Sequence, residues 1–92
     1  MTSFQKKVYS FVKKIPRGKV STYKEVARAI GRSRAARAVG NALNKNPYRS
    51  IPCHRVICSD NFVGGFARGR KEKIKILRDE GVRITDGRID PK

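Results

Sequence analysis

The sequence predicts an α+β domain, mostly α, of the helix-turn-helix (winged-helix-like) class, with a short strand-and-turn segment set among the helices. Three observations lead there. Apolar residues recur at helical spacing through the first half, and each run stops at glycine or proline. Across residues 50–58 that period is lost, and Ser50-Ile51-Pro52-Cys53-His54-Arg55-Val56-Ile57 reads as a rigid, irregular turn with apolar residues behind it. The 92 residues carry 23 Lys or Arg against 7 Asp or Glu, a net charge of +16, on a chain long enough for one modest core.

Each element can be justified in order. Ser3 is placed to cap a first helix whose Phe4, Val8, Phe11, Val12 and Ile15 fall on one face, with Gln5, Lys6, Lys7, Lys13 and Lys14 opposite. Pro16-Arg17-Gly18 stops it. Thr22-x-x-Glu25 is a capping-box pattern and opens a second helix, with Tyr23, Val26, Ala27 and Ile30 as the buried stripe and Gly31 as the stop. Ser33 is expected to cap a third helix with Ala36, Val39, Ala42 and Leu43 inward. Arg34, Arg37, Asn41 and Lys45 then line one outward face, and Ala35, Ala38 and Gly40 keep that surface slim. Asn46-Pro47 closes the helix. Two short helices joined by Gly31-Arg32 read as a helix-turn-helix, the third helix in the recognition position.

Downstream, Ser59-Asp60-Asn61 is a turn. Phe62-Val63-Gly64-Gly65-Phe66-Ala67-Arg68-Gly69 is a glycine-rich loop in which Phe66 could wall a pocket for a flat ring, or which could be a plain connector. A helix over residues 70–80 puts Ile74 and Leu77 inward and stops at Gly81. Val82-Arg83-Ile84 and Arg88-Ile89 flank Asp86-Gly87, a hairpin signal.

The charge excess makes a polyanion the natural counter-surface. Nucleic acid fits better than an acidic membrane, and binding should weaken steeply with salt as counterions are released. No apolar run is long enough to cross a bilayer, and the N-terminal residues have no signal-peptide pattern, so a reducing cytoplasm is the expected setting, with DNA-associated protein. Cys53 and Cys58 are then free thiols. With a single histidine, Cys53, His54 and Cys58 fall one short of a four-ligand zinc set, and neither a metal nor another cofactor is expected.

The chemistry-bearing stretch is Cys53-His54-Arg55. A thiol becomes a good nucleophile once deprotonated, and histidine is the side chain suited to take its proton near neutrality. Arg55 adds positive potential that favours a thiolate. A cysteine among Ile and Val is, however, commonly only a small buried hydrophobe. In an extended strand the two neighbours would also face opposite ways, so the backbone must bend there or a water must carry the proton.

Ile51-Pro52-Cys53-His54-Arg55-Val56 resembles the Pro-Cys-His-Arg-Val signature of the O6-alkylguanine-DNA alkyltransferases. Thr22-Tyr23, Arg34-Ala35-Ala36-Arg37-Ala38-Val39-Gly40, Asn46-Pro47, Val63-Gly64 and Asp79-Glu80-Gly81 stand in the order and spacing of that family. The resemblance covers about residues 4–82, the DNA-binding and active-site domain. It implies a single domain over residues 1–92 with a helix-turn-helix at about 22–46, an active-site segment at 50–58, a substrate loop at 62–69 and a C-terminal helix at about 70–80. It implies a DNA-repair methyltransferase that works as a monomer on double-stranded DNA containing O6-alkylguanine. The helix-turn-helix would enter the minor groove and the damaged base would be flipped out. Cys53 would take the alkyl group once and irreversibly, with His54 as base through a water, Glu80 orienting it and Asn46 bracing the turn. Tyr23 would crowd the phosphate and protonate the leaving guanine. Arg37 would fill the vacated stack, with Arg34, Asn41, Lys45 and Arg55 as further DNA contacts. Phe66, Ala67 and Val63 would line the pocket.

The sequence departs from the family pattern in the substrate loop. Phe66 stands where a tyrosine is frequent, Ala67 where a serine can hold the O6 region, and Arg68 where glycine is usual. The family's usual N-terminal domain has no counterpart within these residues. Two other readings compete. An alkyltransferase-like lesion sensor is typically short but usually lacks the reactive cysteine. A plain helix-turn-helix protein would leave Pro-Cys-His-Arg and Glu80 unexplained.

Overall fold

A computed structural model describes residues 2–46, 50–64 and 69–90. Helix α1 spans Ser3–Lys13. Its cap is Thr2 rather than Ser3: the Thr2 hydroxyl accepts from the Gln5 amide and the Gln5 side chain accepts from the Thr2 amide. Ser3 cannot do this because it already has helical geometry, and only the residue before the first turn can fold its oxygen back. Strand β1 (Ser21–Thr22) leads directly into α2 (Tyr23–Ala29), where the expected Thr22–Glu25 capping box forms with bonds of 3.0 and 2.9 Å.

Helix α2 ends in a Schellman motif. Arg32 N–H reaches the Ala27 carbonyl at 2.8 Å and Gly31 N–H the Arg28 carbonyl at 3.0 Å. Residues 32–35 then turn on an Ala35-to-Arg32 backbone bond of 2.8 Å, and α3 starts only at Ala36, running to Asn44. The expected Ser33 cap is therefore absent, since Ala35 occupies the cap position and makes no side-chain cap bond. Arg34 lies before the helix, so the four-residue row on one helical face reduces to Arg37 and Asn41, with Lys45 at the C-cap.

α1, α2 and α3 enclose the main core of Val8, Tyr9, Val12, Ile15, Val26, Ala27, Val39, Ala42, Leu43 and Val56. Tyr9 joins this core, which the periodicity did not suggest; its hydroxyl donates to the Ala42 carbonyl at 2.7 Å, so a buried phenol has a partner. Strand β2 (Val56–Ile57) pairs in parallel with β1, Ser21 opposite Val56 and Thr22 opposite Ile57. That pairing brings the Cys53 turn beside the start of α2.

Helix α4 (Arg70–Asp79) also ends in a Schellman motif, with Gly81 N–H on the Arg78 carbonyl and Val82 N–H on the Leu77 carbonyl, both 3.0 Å. Gly81 has φ +93°, which side-chain-bearing residues rarely adopt, and this leaves Glu80 at the C-cap. Val82 and Leu77 pack together in a second core with Val63 and Ile84. The chain closes with a hairpin, β3 (Ile84–Thr85) antiparallel to β4 (Arg88–Ile89), on an Asp86-Gly87 turn with both φ positive, as the dipeptide predicted.

Candidate active site

The local sequence bends at Pro52. With φ −79° and ψ 67°, Pro52 centres an inverse γ-turn closed by Cys53 N–H to the Ile51 carbonyl at 2.8 Å. A single 3₁₀ turn, Cys53–Arg55, follows, and its Arg55 N–H bonds the Pro52 carbonyl at 3.0 Å. The bend required for Cys53 and His54 to work together is thus present, and Cys53 is partly exposed rather than sealed in the core. The Asn46 side-chain amide donates to the Ile51 carbonyl at 3.4 Å, a long bond that ties the end of α3 to this turn.

Glu80 faces the turn from the end of α4. Its Oε2 accepts from His54 Nε2 at 3.0 Å and from Arg55 Nη2 at 2.8 Å, and its Oε1 accepts from Arg55 Nε at 2.9 Å. Hydrogen bonds from the Arg55 guanidinium are the main reason its carboxyl is held down at about 2, with His54 adding to the effect against the cost of burial. An ionised carboxylate can only accept, so Nε2 carries the imidazole proton and Nδ1 keeps a lone pair. Burial lowers the His54 pKa, partly offset by Glu80, and this favours the neutral base near neutral pH.

Arg55 is corrected. Its guanidinium forks onto Glu80 and reaches the Ile15 carbonyl at 2.8 Å, with its side chain 16% exposed. It braces the residue Ile15, just after α1, against Glu80 at the end of α4, and Glu80 matches its charge, an inward placement rather than the surface one expected of a DNA contact.

Among the described residues a cation near the thiols is Lys73, which sequence reading missed. It lies on α4, is fully buried, and donates to the Val56 carbonyl at 2.8 Å. A lysine at an inward helical position was the available signal: Lys73 sits next to Ile74 and four residues before Leu77. Burial pulls its pKa down to about 8, against the attraction of Cys58 and Cys53. The unfolded chain holds the lysine proton up to 10.5 and the folded chain only to about 8. Stability of the wild type is expected to rise with pH across that window, relative to Lys73→Met, because there the unfolded state binds more protons. Denaturation of both proteins at pH 8 and pH 10 measures it.

Tyr23 opens α2 with its ring 5.7 Å from Lys73 Nζ. Burial, with Cys58 and Cys53 adding to it, pushes its hydroxyl up to about 12, so the phenol keeps its proton. Gly64 lies against both: a β-carbon there would stand 3.0 Å from Cys58 Sγ and 3.8 Å from the Tyr23 ring. Tyr23, Arg34, Arg37 and Cys58 line one open groove of about 380 Å³ together with Lys24 and Ser59. The turn before α3 therefore brings Arg34 beside Arg37 although it is not on the helix. Asn41 and Lys45 are exposed further along α3. Val63 is fully buried in the second core and does not line this groove, whereas Phe66 and Ala67 lie outside the described residues. Among the described residues, no group of three His, Cys, Asp or Glu side chains is placed to hold a metal ion, and no helix is long and apolar enough to cross a membrane.

Comparison with known proteins fits this geometry. The family profile of the 6-O-methylguanine DNA methyltransferase DNA-binding domain matches residues 3–82. A methylated-DNA–protein-cysteine methyltransferase of Saccharolobus solfataricus is 51% identical over 84 residues, 90% of this chain and 54% of that protein. A bifunctional methyltransferase/endonuclease of Picrophilus torridus is 46% identical over 86 residues, 92% of this chain and 29% of that protein. The chain thus spans about half the length, or less, of these relatives. Among solved structures, S. pombe Atl1 in complex with DNA containing O6-carboxymethylguanine superposes with a TM-score of 0.87 at 38% identity, covering all of this chain and 91% of that one. Mycobacterium tuberculosis OGT in complex with DNA gives 0.85 at 39% identity, covering 88% and 50%. With the profile spanning nearly the whole chain and the Cys53–His54–Glu80 arrangement in place, this chain belongs to the 6-O-methylguanine DNA methyltransferase family and comprises its DNA-binding domain.

Proposed function

We propose that residues 1–92 act as one alkyltransferase-type domain that binds duplex DNA, extrudes O6-alkylguanine and transfers the alkyl group to Cys53. The observation that carries this reading is the His54–Glu80 contact of 3.0 Å behind a bent Cys53 turn, which leaves a neutral imidazole with a free lone pair one residue from a partly exposed thiol. Nδ1 of His54 takes the Cys53 proton through a water. The sulfur then attacks the alkyl carbon in one displacement: an S–C bond forms, the C–O6 bond breaks, and the electron pair leaves with guanine. Tyr23, which keeps its proton, is the acid that can neutralise the departing base. The product is a thioether that nothing here reverses, so each molecule acts once. The protein works as a DNA-associated monomer and needs no cofactor.

The groove holding Arg34 and Arg37 beside Tyr23 supports α3 as the DNA-facing helix. Flipping costs a few kcal/mol, and Arg37 offsets this by filling the stack. Arg37→Ala is expected to weaken binding to a duplex with O6-methylguanine by about tenfold more than binding to the undamaged duplex. Titrating both duplexes at one salt concentration measures this; equal losses would make Arg37 an ordinary phosphate contact.

A second reading is a lesion sensor that holds O6-alkylguanine without repair. The observation in its favour is the likeness of fold, since S. pombe Atl1 superposes on all of this chain with a TM-score of 0.87. Mass analysis after incubation with O6-methylguanine duplex separates the two. One added methyl on the peptide bearing Cys53 supports transfer. Tight lesion binding with that peptide unmodified supports the sensor.

A further inference from the structure

We propose that the C-terminal hairpin is a clamp that sets the pocket wall at Val63 and Gly64, and is therefore a positioning element for lesion recognition. This rests on the functional reading above. The hairpin lies beyond the residues 3–82 matched by the family, yet it is joined to the segment that approaches Cys58 and Tyr23. β4 continues across to Phe62, which bridges to Arg88. Ile89 N–H donates to the Asn61 carbonyl at 2.8 Å, and Val63 N–H donates to the Gly87 carbonyl at 2.9 Å. The Phe62 ring rests on the hairpin turn so closely that a β-carbon at Gly87 would stand 3.0 Å from it. Arg70, the first residue of α4, places its guanidinium 4.5 Å from the same ring, and Arg88 lies at 5.9 Å. One ring thus links the hairpin, the Asn61–Gly64 segment and the start of α4.

On its other side the same segment is pinned to the site. Cys58 N–H bonds the Phe62 carbonyl at 2.9 Å, and Asn61 N–H bonds the Cys58 carbonyl at 3.0 Å. Val63 is fully buried in the second core, and Gly64 touches Cys58 and Tyr23. Residues 61–64 are held between the hairpin on one side and Cys58 and Tyr23 of the groove on the other. A shift of about an ångström there would move the wall relative to Tyr23, a displacement of the size that costs about a hundredfold in positioned reactions.

The test compares Ile89→Pro, which deletes the N–H that Asn61 accepts, with Ile89→Ala, which keeps it and trims only the side chain. The probes are one duplex containing O6-methylguanine and the same duplex undamaged. Ile89→Pro should lower the lesion-to-undamaged affinity ratio about tenfold below that of Ile89→Ala, with undamaged binding unchanged. Phe62→Leu should lower the ratio likewise, and Phe62→Tyr, which keeps the flat ring, should restore it. Equal ratios in the Pro and Ala variants, or equal losses on both duplexes, would overturn the proposal. Amide exchange at Val63 reads the clamp without DNA: it should be slow in the wild type and fast in Ile89→Pro, and an unchanged rate would also overturn it. A wild type that does not prefer the lesion would instead defeat the functional reading, while Val63 exchange would still decide the clamp.

Discussion

Cys53→Ala is expected to abolish methyl transfer completely while leaving duplex affinity within about threefold of the wild type. Transfer has one acceptor atom in this proposal, so its removal leaves no slower route. Binding should survive because the turn does not depend on the sulfur. It is closed by backbone bonds, Cys53 N–H to Ile51 and Arg55 N–H to Pro52, and anchored by Arg55 on Glu80 and Ile15. Removing one partly exposed sulfur next to the main core should cost no more than about 1 kcal/mol, well below the large-to-small costs of full burial. The groove of Tyr23, Arg34 and Arg37 is untouched by the change. Intact mass after incubation with O6-methylguanine duplex and a mobility-shift titration together decide the matter. Loss of DNA binding in the variant would mean that Cys53 holds the fold rather than the chemistry.

Glu80→Gln is expected to be the most destabilising single change at the site and to slow transfer as well. The carboxylate accepts from His54 and twice from Arg55, and its side chain is only 7% exposed. An amide keeps one acceptor oxygen and turns an N–H₂ toward donors, leaving the Arg55 charge poorly matched. Breaking such a pair costs about 3 kcal/mol, which for a chain of this size is roughly 10–20 °C in Tm. The imidazole also loses the partner that fixes its proton on Nε2, so transfer should fall at least about tenfold on top of any loss of folded protein. The pH dependence has a definite sign. The carboxyl sits at about 2 in the folded chain against 4.5 for the ordinary group. A depressed carboxyl stabilises the fold above its unfolded value, and that stability is lost as pH falls from about 4.5 toward 2. Wild-type unfolding free energy should therefore drop steeply across that window, and the Gln variant should lack this component. Urea titrations at pH 6 and pH 3 on both proteins measure the difference; parallel curves would show that Glu80 is not held as described.

Both predictions concern groups that the sequence named. Thr22 and Glu25 announced a helix start because a capping box is local: four consecutive residues contain both donors and both acceptors. Asp86-Gly87 announced its hairpin for the same reason, since the turn needs two positive φ values and that dipeptide tolerates them. Ser33 shows where such reasoning fails. It has the right chemistry for a cap, but the Schellman end of α2 and the turn after it use up the intervening residues and delay α3 to Ala36. Arg55 and Lys73 show a second failure. Both are basic residues in a strongly basic chain, and composition assigns such residues to the surface by default. Arg55 turns inward because Glu80 lies opposite it. Lys73 does so because its helical phase points at the Val56 carbonyl.

The sequence by itself determined the start of α2, the glycine stops of α2 and α4, the bend at Pro52 and the hairpin turn, and it singled out Cys53, His54 and Glu80 as the residues of the proposed site. Each of these follows from backbone preferences and side-chain chemistry over a few residues, or from a motif read along the chain. Only the tertiary structure decided which charges face the thiol, which are internal braces, and that the last hairpin grips the segment beside Tyr23. Those outcomes depend on contacts between residues 17 to 40 positions apart, such as Lys73 with Val56 and Arg55 with Ile15. Folding brings such pairs together, and burial then sets their charge by a balance of desolvation and partner distance that no local pattern encodes.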